Sequence, residues 1–171
     1  MIGVAIGFLL HEIGHKYVAM KYGYESEFKM WPLGLLIALA TAFIGWVFAA
    51  PGEAHIYADD LIDEINGKIN IAGPMVNMAL ALIFLIIAAL VSPLGPHSRI
   101  FQLIYLISTV GFSVNTFLAT FNLFPFMTLD GTKVMKWNWK IWIVVFAIAA
   151  IMTLLSITIG AENLVQMLIK L

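Results

Sequence analysis

The chain has 171 residues, of which 62% are apolar and 11% are charged, with a net charge of −1 and no Cys. Soluble domains are about 45–50% apolar and about 25% charged, and a chain of this length has too little interior to hide such an excess. The composition therefore argues against a soluble enzyme, the near-zero charge against a nucleic-acid partner, and the missing cysteines against disulfide and thiolate sites.

Long uncharged segments predict a membrane protein. Each of four segments lacks Asp, Glu, Lys and Arg and exceeds the roughly 18–20 residues that cross a bilayer. The chain is therefore predicted to be an integral, multi-pass protein that contacts the lipid bilayer, with about four transmembrane helices in an all-α fold. Its length favours one membrane-embedded domain over residues 1–171. The four segments are Met30–Gly52, Ile69–Ser98, Ile100–Leu129 and Ile141–Ala161.

The predicted elements begin with a helix over Met1–Lys21, which ends at Gly23. Trp31–Ala50 is open to two interpretations, because its glycines weaken a helix. It is either one spanning helix or a re-entrant segment, possibly a β-hairpin, that turns inside the membrane. A polar loop is predicted over Glu53–Asn70.

In the second half of the chain, the sequence pattern indicates one helix after another. A helix is predicted from Gly73-Pro74 to about Val91, because Pro suits a first helical turn. The next span is Ile100–Phe121, followed by a basic loop at Lys133–Lys140 with interfacial Trp residues. A C-terminal membrane helix is predicted over residues 141–159, and Ala161–Leu171 is predicted to be a short interfacial helix.

The first predicted helix carries the sequence His11-Glu12-Ile13-Gly14-His15. His residues at i and i+4 lie on one helical face, where both imidazoles can bind one Zn²⁺ with the Glu as general base. Chance predicts about 0.003 occurrences of this pattern in a chain of this composition. The alternative is a pair of structural His residues, but ionisable groups in a membrane span are costly.

A catalytic zinc usually has three protein ligands, and the residues alone leave the third one open. His55 and His97 are candidates, although a solvated His is the default in a polar loop. Asp130 stands out because it follows a long apolar run, yet it is equally suited to capping a short helix that starts at Gly131.

Three motifs together resemble the site-2 protease family of intramembrane zinc metalloproteases (peptidase family M50). They are His11-Glu12-x-x-His15, then Gly73-Pro74-Met75-Val76-Asn77, then Asn122-x-x-Pro125-x-x-x-Leu129-Asp130-Gly131. They occur in the family's order and cover about residues 1–138.

The resemblance implies a three-helix catalytic core over about residues 1–138, to which the helix at 141–159 is an addition. It implies one Zn²⁺ per chain, bound by His11, His15 and Asp130, with Glu12 as the catalytic base. Asn77, and less strongly Asn122, would contact the substrate backbone or the oxyanion. For both Asn residues the alternative is hydrogen bonding between helices.

Charge provides an independent test of the topology. His11, His15 and Asp130 meet only if Trp31–Ala50 returns to the side on which it started. With that return, seven Lys or Arg residues lie on one side and two on the other, whereas a single crossing divides them five to four. The positive-inside rule favours the seven-to-two division. The segment is therefore interpreted as re-entrant, with the active site nearer the cytoplasmic face.

The predicted function is hydrolysis of peptide bonds in or near the transmembrane helix of a membrane-protein substrate. The alternative is a non-enzymatic membrane protein that binds or transports metal with the same His, Glu and Asp residues, because intramembrane charges often mark ion paths.

Overall fold

The computed structural model describes residues 2–30, 52–57, 62–126 and 128–170, which are mostly helical. Two strands, β1 (Glu25–Met30) and β2 (Gly52–Tyr57), pair with each other, and a short 3-10 helix spans Ser92–His97. The helices are α1 (Ile2–Lys21), α2 (Asp63–Val91), α3 (Arg99–Asn122), α4 (Asp130–Trp137), α5 (Trp139–Thr158) and α6 (Ala161–Ile169).

Local sequence accounts for several helix ends. Gly23 has a φ of 82°, and the Tyr24 N–H donates to the Ala19 carbonyl (3.1 Å), so α1 ends in a left-handed glycine cap as predicted. Ser98 caps α3 by accepting from the Ile100 N–H. Asn138 separates α4 from α5 and caps α5 in the same way.

The predicted start of α2 at Gly73-Pro74 is wrong, because the helix begins ten residues earlier, at Asp63. Acidic residues in the first turn suit a helix N-terminus. Pro74 therefore lies inside the helix, where it cannot donate to the Asn70 carbonyl. Ile69 is buried in the helix, although the polar loop predicted over Glu53–Asn70 would have left it exposed.

The predicted basic loop at Lys133–Lys140 is also wrong, because α4 occupies most of it. Val134 is completely buried. The Trp137 side chain fills the space where a Cβ of Gly67 would stand, so α4 packs closely on α2. This tertiary contact stabilises a helix that is too short to form alone.

The core lies between α2 and α3, with α1 and α5 on their flanks. Small buried residues allow close approach, as is common between membrane helices, and a Cβ on Gly111 would meet the Phe84 ring at 2.8 Å. Thr120 and Thr153 share a hydrogen bond of 2.8 Å between α3 and α5. Bonds of this kind contribute about 0.6 kcal/mol each.

Three helices among the described residues are long and apolar enough to cross a membrane: Asp63–Gly95, Arg99–Asn122 and Trp139–Thr158. Their outer surfaces carry many exposed large apolar side chains, a pattern that water does not favour and lipid does. The prediction of a membrane protein agrees with this surface. Because residues 31–50 are interpreted as re-entrant, the fourth of the predicted transmembrane helices would be α1, and this stays a prediction. The exposed residues include Leu82, Ile86, Leu90, Leu103, Leu106, Val110, Ile148 and Ile151.

The two strands run antiparallel, with Met30 opposite Gly52 and Glu25 opposite Tyr57. The chain therefore leaves β1 and re-enters β2 at neighbouring positions, whereas a spanning helix of 20 residues would separate its ends by about 30 Å. This pairing is what the re-entrant interpretation requires. The predicted re-entrant segment at residues 31–50 itself lies outside the described residues and stays a prediction.

The absence of native cysteines allows a direct test of topology with single-cysteine variants. We expect Glu25→Cys, Ile62→Cys and Lys136→Cys to react with a membrane-impermeant thiol reagent from the cytoplasmic side of oriented vesicles. Leu94→Cys should react from the opposite side, because basic residues collect in the cytoplasm. Labelling of Glu25→Cys and Ile62→Cys from opposite faces would contradict the re-entrant interpretation.

Candidate metal centre

Helix α1 presents three buried polar side chains on its inner surface. His11, Glu12 and His15 are 3%, 8% and 6% exposed. The two imidazole rings are 4.6 Å apart between centroids and nearly perpendicular. The metal-binding atoms of all three residues lie within 4.8 Å of one another. A one-turn spacing on a helix therefore produces a compact cluster of donors.

The cluster is completed by Asp130, the first residue of α4, which is 8% exposed. Asp130 Oδ2 lies 3.2 Å from His11 Nε2 and 3.3 Å from His15 Nε2. The two Nε2 atoms are 2.9 Å apart. The structure thus brings together the two His residues and the Asp that the sequence singled out.

Asp130 reaches this position because α4 begins close to the end of α3. A Cβ on Gly131 would overlap the carbonyl of Leu123, so the residue after Asp130 must be glycine for this approach. The same Leu123 carbonyl accepts a hydrogen bond from Trp142 Nε1 in α5 (2.8 Å). Contacts from both α4 and α5 with the Leu123 carbonyl therefore hold the turn between α3 and α4 in place.

The outer nitrogens of both rings are held by carbonyl groups. His11 Nδ1 lies 2.6 Å from Asn77 Oδ1, and His15 Nδ1 lies 2.8 Å from the Ile69 carbonyl oxygen. Because carbonyl oxygens only accept, each neutral ring must carry its proton on Nδ1. Both Nε2 atoms then direct lone pairs towards Asp130, as in metal-binding His residues with outer hydrogen bonds.

The donor set fits a divalent zinc ion. Asp130 Oδ2 is buried and has no hydrogen-bond partner among the described residues, and its close neighbours are the two bare Nε2 atoms. Three lone-pair donors confined in this way repel one another unless a cation lies between them. Ligands of one tetrahedral zinc ion are about 3.3 Å apart, close to the distances here.

Gly73 keeps the donor atoms accessible. A Cβ at this position would stand 2.5 Å from His15 Nε2 and 2.6 Å from His11 Nε2. The glycine of the Gly-Pro-x-x-Asn motif therefore lies against the metal-facing nitrogens, and a side chain there would occupy the space that a cation needs.

Burial by itself raises the pKa of the Asp130 carboxyl, but the His15 and His11 rings, when they are protonated and carry a positive charge, outweigh that effect and hold the pKa below its usual range. With neutral rings, a cation between the three donors would take over this role and keep Asp130 a carboxylate. This is the protonation state that binds a cation.

The two asparagines occupy different positions from each other. Asn77 is completely buried, and its side-chain oxygen contacts His11, a candidate zinc ligand. Asn122 is half-buried and donates to the Leu118 carbonyl in its own helix (3.0 Å). The predicted contacts of both with substrate stay predictions.

The side chains of His55 and His97, the other candidates for a third ligand, lie outside the described part of the chain. Sequence reasoning missed two groups that support the site. One is the Ile69 carbonyl, which holds His15 and which no local sequence signal marks. The other is Asn115, a buried amide whose signal was a polar residue within an uncharged membrane segment.

Comparison with known proteins relates the chain to zinc metalloproteases. It is 44% identical over 146 residues to "Putative zinc metalloprotease MJ0611" of Methanocaldococcus jannaschii, covering 85% of this chain and 73% of the relative. It is 25% identical over 154 residues to "Putative zinc metalloprotease YwhC" of Bacillus subtilis, covering 80% and 67%. It is 26% identical over 131 residues to "Zinc metalloprotease MJ0392" of M. jannaschii, covering 77% and 31%. No protein-family model and no solved structure matches the chain.

Asp130→Ala should remove the carboxylate whose Oδ2 lies within 3.3 Å of the Nε2 atoms of both His rings. We expect zinc affinity to fall at least 100-fold, because two imidazoles alone are an incomplete zinc site. Competitive titration against a fluorescent chelator measures the dissociation constant, with Glu64→Ala as a control carboxylate on the surface of α2. Unchanged affinity in Asp130→Ala would mean that another residue is the third ligand.

Gly73→Ala should block the site while leaving every donor in place. The added methyl group overlaps both Nε2 atoms, so we expect metal content, measured by elemental analysis of purified protein, to fall at least tenfold. Gly95→Ala is the matched control, because a Cβ there meets nothing within 4 Å. Full metal content in a folded Gly73→Ala protein would place the metal elsewhere.

Proposed function

Since the chain belongs to the zinc metalloprotease family of MJ0611, we propose that it is an intramembrane, site-2-protease-like enzyme. It hydrolyses peptide bonds in or near transmembrane segments of membrane-protein substrates. The observation that carries the proposal is the convergence of His11, His15 and Asp130 beside buried Glu12, within a bundle whose outer surface is apolar.

In this proposal His11, His15 and Asp130 would hold one zinc ion, with the Nε2 atoms of the two rings and Oδ2 of the carboxylate facing one another. Two neutral imidazoles and one carboxylate leave a net charge near +1, and three protein ligands are the usual number for a catalytic site. Bound zinc supplies a Lewis acid that acidifies the attacking water and polarises the scissile carbonyl.

Glu12 is the general base. It follows His11 directly and lies beside the donor cluster, in the position that the His-Glu-x-x-His motif gives to the base. Its carboxylate takes a proton from the attacking water and passes it to the amine that leaves when the peptide bond breaks. Burial of Glu12 at 8% exposure limits access of bulk water to this transfer.

The membrane setting is supported by the helices around the site. Asn77 and Asn115 link the site to α2 and α3, and both helices are long and apolar enough to cross a membrane. A site attached to these helices would meet substrates that are themselves in the bilayer. The seven-to-two division of basic residues supports a location nearer the cytoplasmic face.

A substrate must be extended before its carbonyls can react, because a helix keeps them in hydrogen bonds. The β1–β2 sheet packs on α1, the helix that carries the base and two ligand candidates. We propose that an extended substrate segment adds to an edge of this sheet, or of the re-entrant segment predicted over residues 31–50, since strand addition holds a peptide by its backbone.

Glu12→Gln separates a protease from a metal-binding or transport protein. Gln retains the size and a carbonyl oxygen of Glu but cannot accept a proton at neutral pH. We expect zinc content to stay near that of the unmodified protein, and the cleavage rate to fall about 10²–10⁴-fold, because a general base contributes that much. Single-turnover cleavage of a candidate membrane substrate in liposomes measures the rate.

The control is Glu64→Gln, which changes an exposed carboxylate that pairs with Lys68 at i+4. This variant should cleave at the unmodified rate. Cleavage by zinc-loaded Glu12→Gln within a few fold of the unmodified protein would remove Glu12 from the mechanism, and the metal-transport alternative would then be the better account.

A further inference from the structure

Two asparagines, Asn77 in α2 and Asn115 in α3, are completely buried and bonded to each other. Asn77 Nδ2 donates to Asn115 Oδ1 (2.9 Å). Buried amides are tolerated only when their donors and acceptors are satisfied, so a pair of them between apolar helices requires a reason. Asn115 lies in none of the three motifs that identify the site.

Each amide can point in only one direction. Asn115 Nδ2 donates to the Gly111 carbonyl in its own helix (2.8 Å), so Asn115 Oδ1 must face Asn77. Asn77 Nδ2 donates to that oxygen and to the Gly7 carbonyl of α1 (3.1 Å). Because both of these partners only accept, the Asn77 nitrogen must face them, and Asn77 Oδ1 is left facing His11.

The two rings of the site therefore differ in how they are held. His15 bonds to the backbone carbonyl of Ile69, which cannot rotate within a helix. His11 bonds to a side-chain amide, which could turn over and present its NH₂ group instead if no other group fixed its direction. An inverted Asn77 would donate to His11 Nδ1 and move the ring proton to Nε2, where it blocks metal binding.

Close packing makes the arrangement rigid. A Cβ on Gly7 would stand 2.6 Å from Asn115 Oδ1, so glycine at this position lets α1 approach α3 closely enough for the bonds to form. The series Gly111, Asn115, Asn77, His11 thus joins α3, α2 and α1 through hydrogen bonds with one consistent direction.

We propose that Asn115 is a positioning residue that acts through Asn77 to hold the proton of His11 on Nδ1, which keeps Nε2 available to zinc. The proposal rests on the zinc site of the proposed function, but not on the identity of the substrate or on proteolysis. It predicts a defined tautomer in the protein before metal is added, and a metal affinity that depends on a residue remote from the metal.

The first test reads the tautomer directly. Nitrogen NMR of metal-free, ¹⁵N-His-labelled full-length protein in detergent micelles, at a pH where the rings are neutral, distinguishes protonated from bare ring nitrogens. The His11 signals are those absent from His11→Gln. We expect Nδ1–H and bare Nε2 in the unmodified protein, and a mixture or the reverse tautomer in Asn115→Leu, which resembles Asn in shape but cannot accept.

The second test measures zinc affinity by chelator competition. Loss of an outer partner of a metal-binding His costs about 10–100-fold in affinity, so we expect about tenfold weaker binding in Asn115→Leu. Asn115→Asp retains the acceptor for Asn77 and should bind within about threefold of the unmodified protein. Thr116→Val is the matched control, since this neighbouring buried hydroxyl bonds only to Ser113 of its own helix among the described residues.

If Asn115→Leu does not fold, Asn115→Ala removes the same acceptor with less steric demand. Unchanged tautomer and affinity in either folded variant would overturn the proposal, as would an Nε2–H tautomer in the unmodified protein. An equal loss of affinity in Thr116→Val would also overturn it, because the effect would then be one of packing. A protein with the expected tautomer and zinc affinity but no cleavage of membrane substrates would contradict the proposed protease function and support this inference.

Discussion

The structure depends on one unfavourable contact, the confinement of three lone-pair donors within 3.3 Å of one another in a buried site. The Nε2 atoms of His11 and His15 and the Oδ2 atom of Asp130 repel each other electrostatically, and burial removes the water that would screen them. A cation converts this repulsion into attraction. Much of the surrounding fold can be understood as holding the donors in place.

Glycine supports the site at several positions, because a larger residue there would collide with its neighbours. Gly73 leaves the space in front of both Nε2 atoms open, and Gly131 allows α4 to begin against the Leu123 carbonyl. Gly7 allows α1 to approach the buried Asn115. Because membrane helices lack a hydrophobic driving force towards each other, their contacts rely on small residues and buried hydrogen bonds. Here the same contacts serve stability and site geometry together.

Backbone and amide carbonyls position both rings within a bundle of apolar helices. Pro74 leaves the Asn70 carbonyl without its helical donor, and the carbonyl one residue earlier, that of Ile69, holds the ring of His15. Asn77 does the equivalent work for His11 and is itself directed by Asn115, so the site is tied to all three helices around it.

Local spacing in the sequence was sufficient to predict the His pair with its Glu, the glycine end of α1 and the apolar helices. These follow from helix geometry and from hydropathy, which act over a few residues. Asp130 was singled out by its position after an apolar run, but its role came from a resemblance. Only the tertiary structure decided that α2 starts at Asp63, that β1 pairs with β2, that residues 130–137 are helical, and that Asn115 directs Asn77. Each of these depends on partners distant in sequence, because a buried carbonyl, a strand edge or a short helix is stabilised by what packs against it, and sequence spacing does not reveal that neighbour.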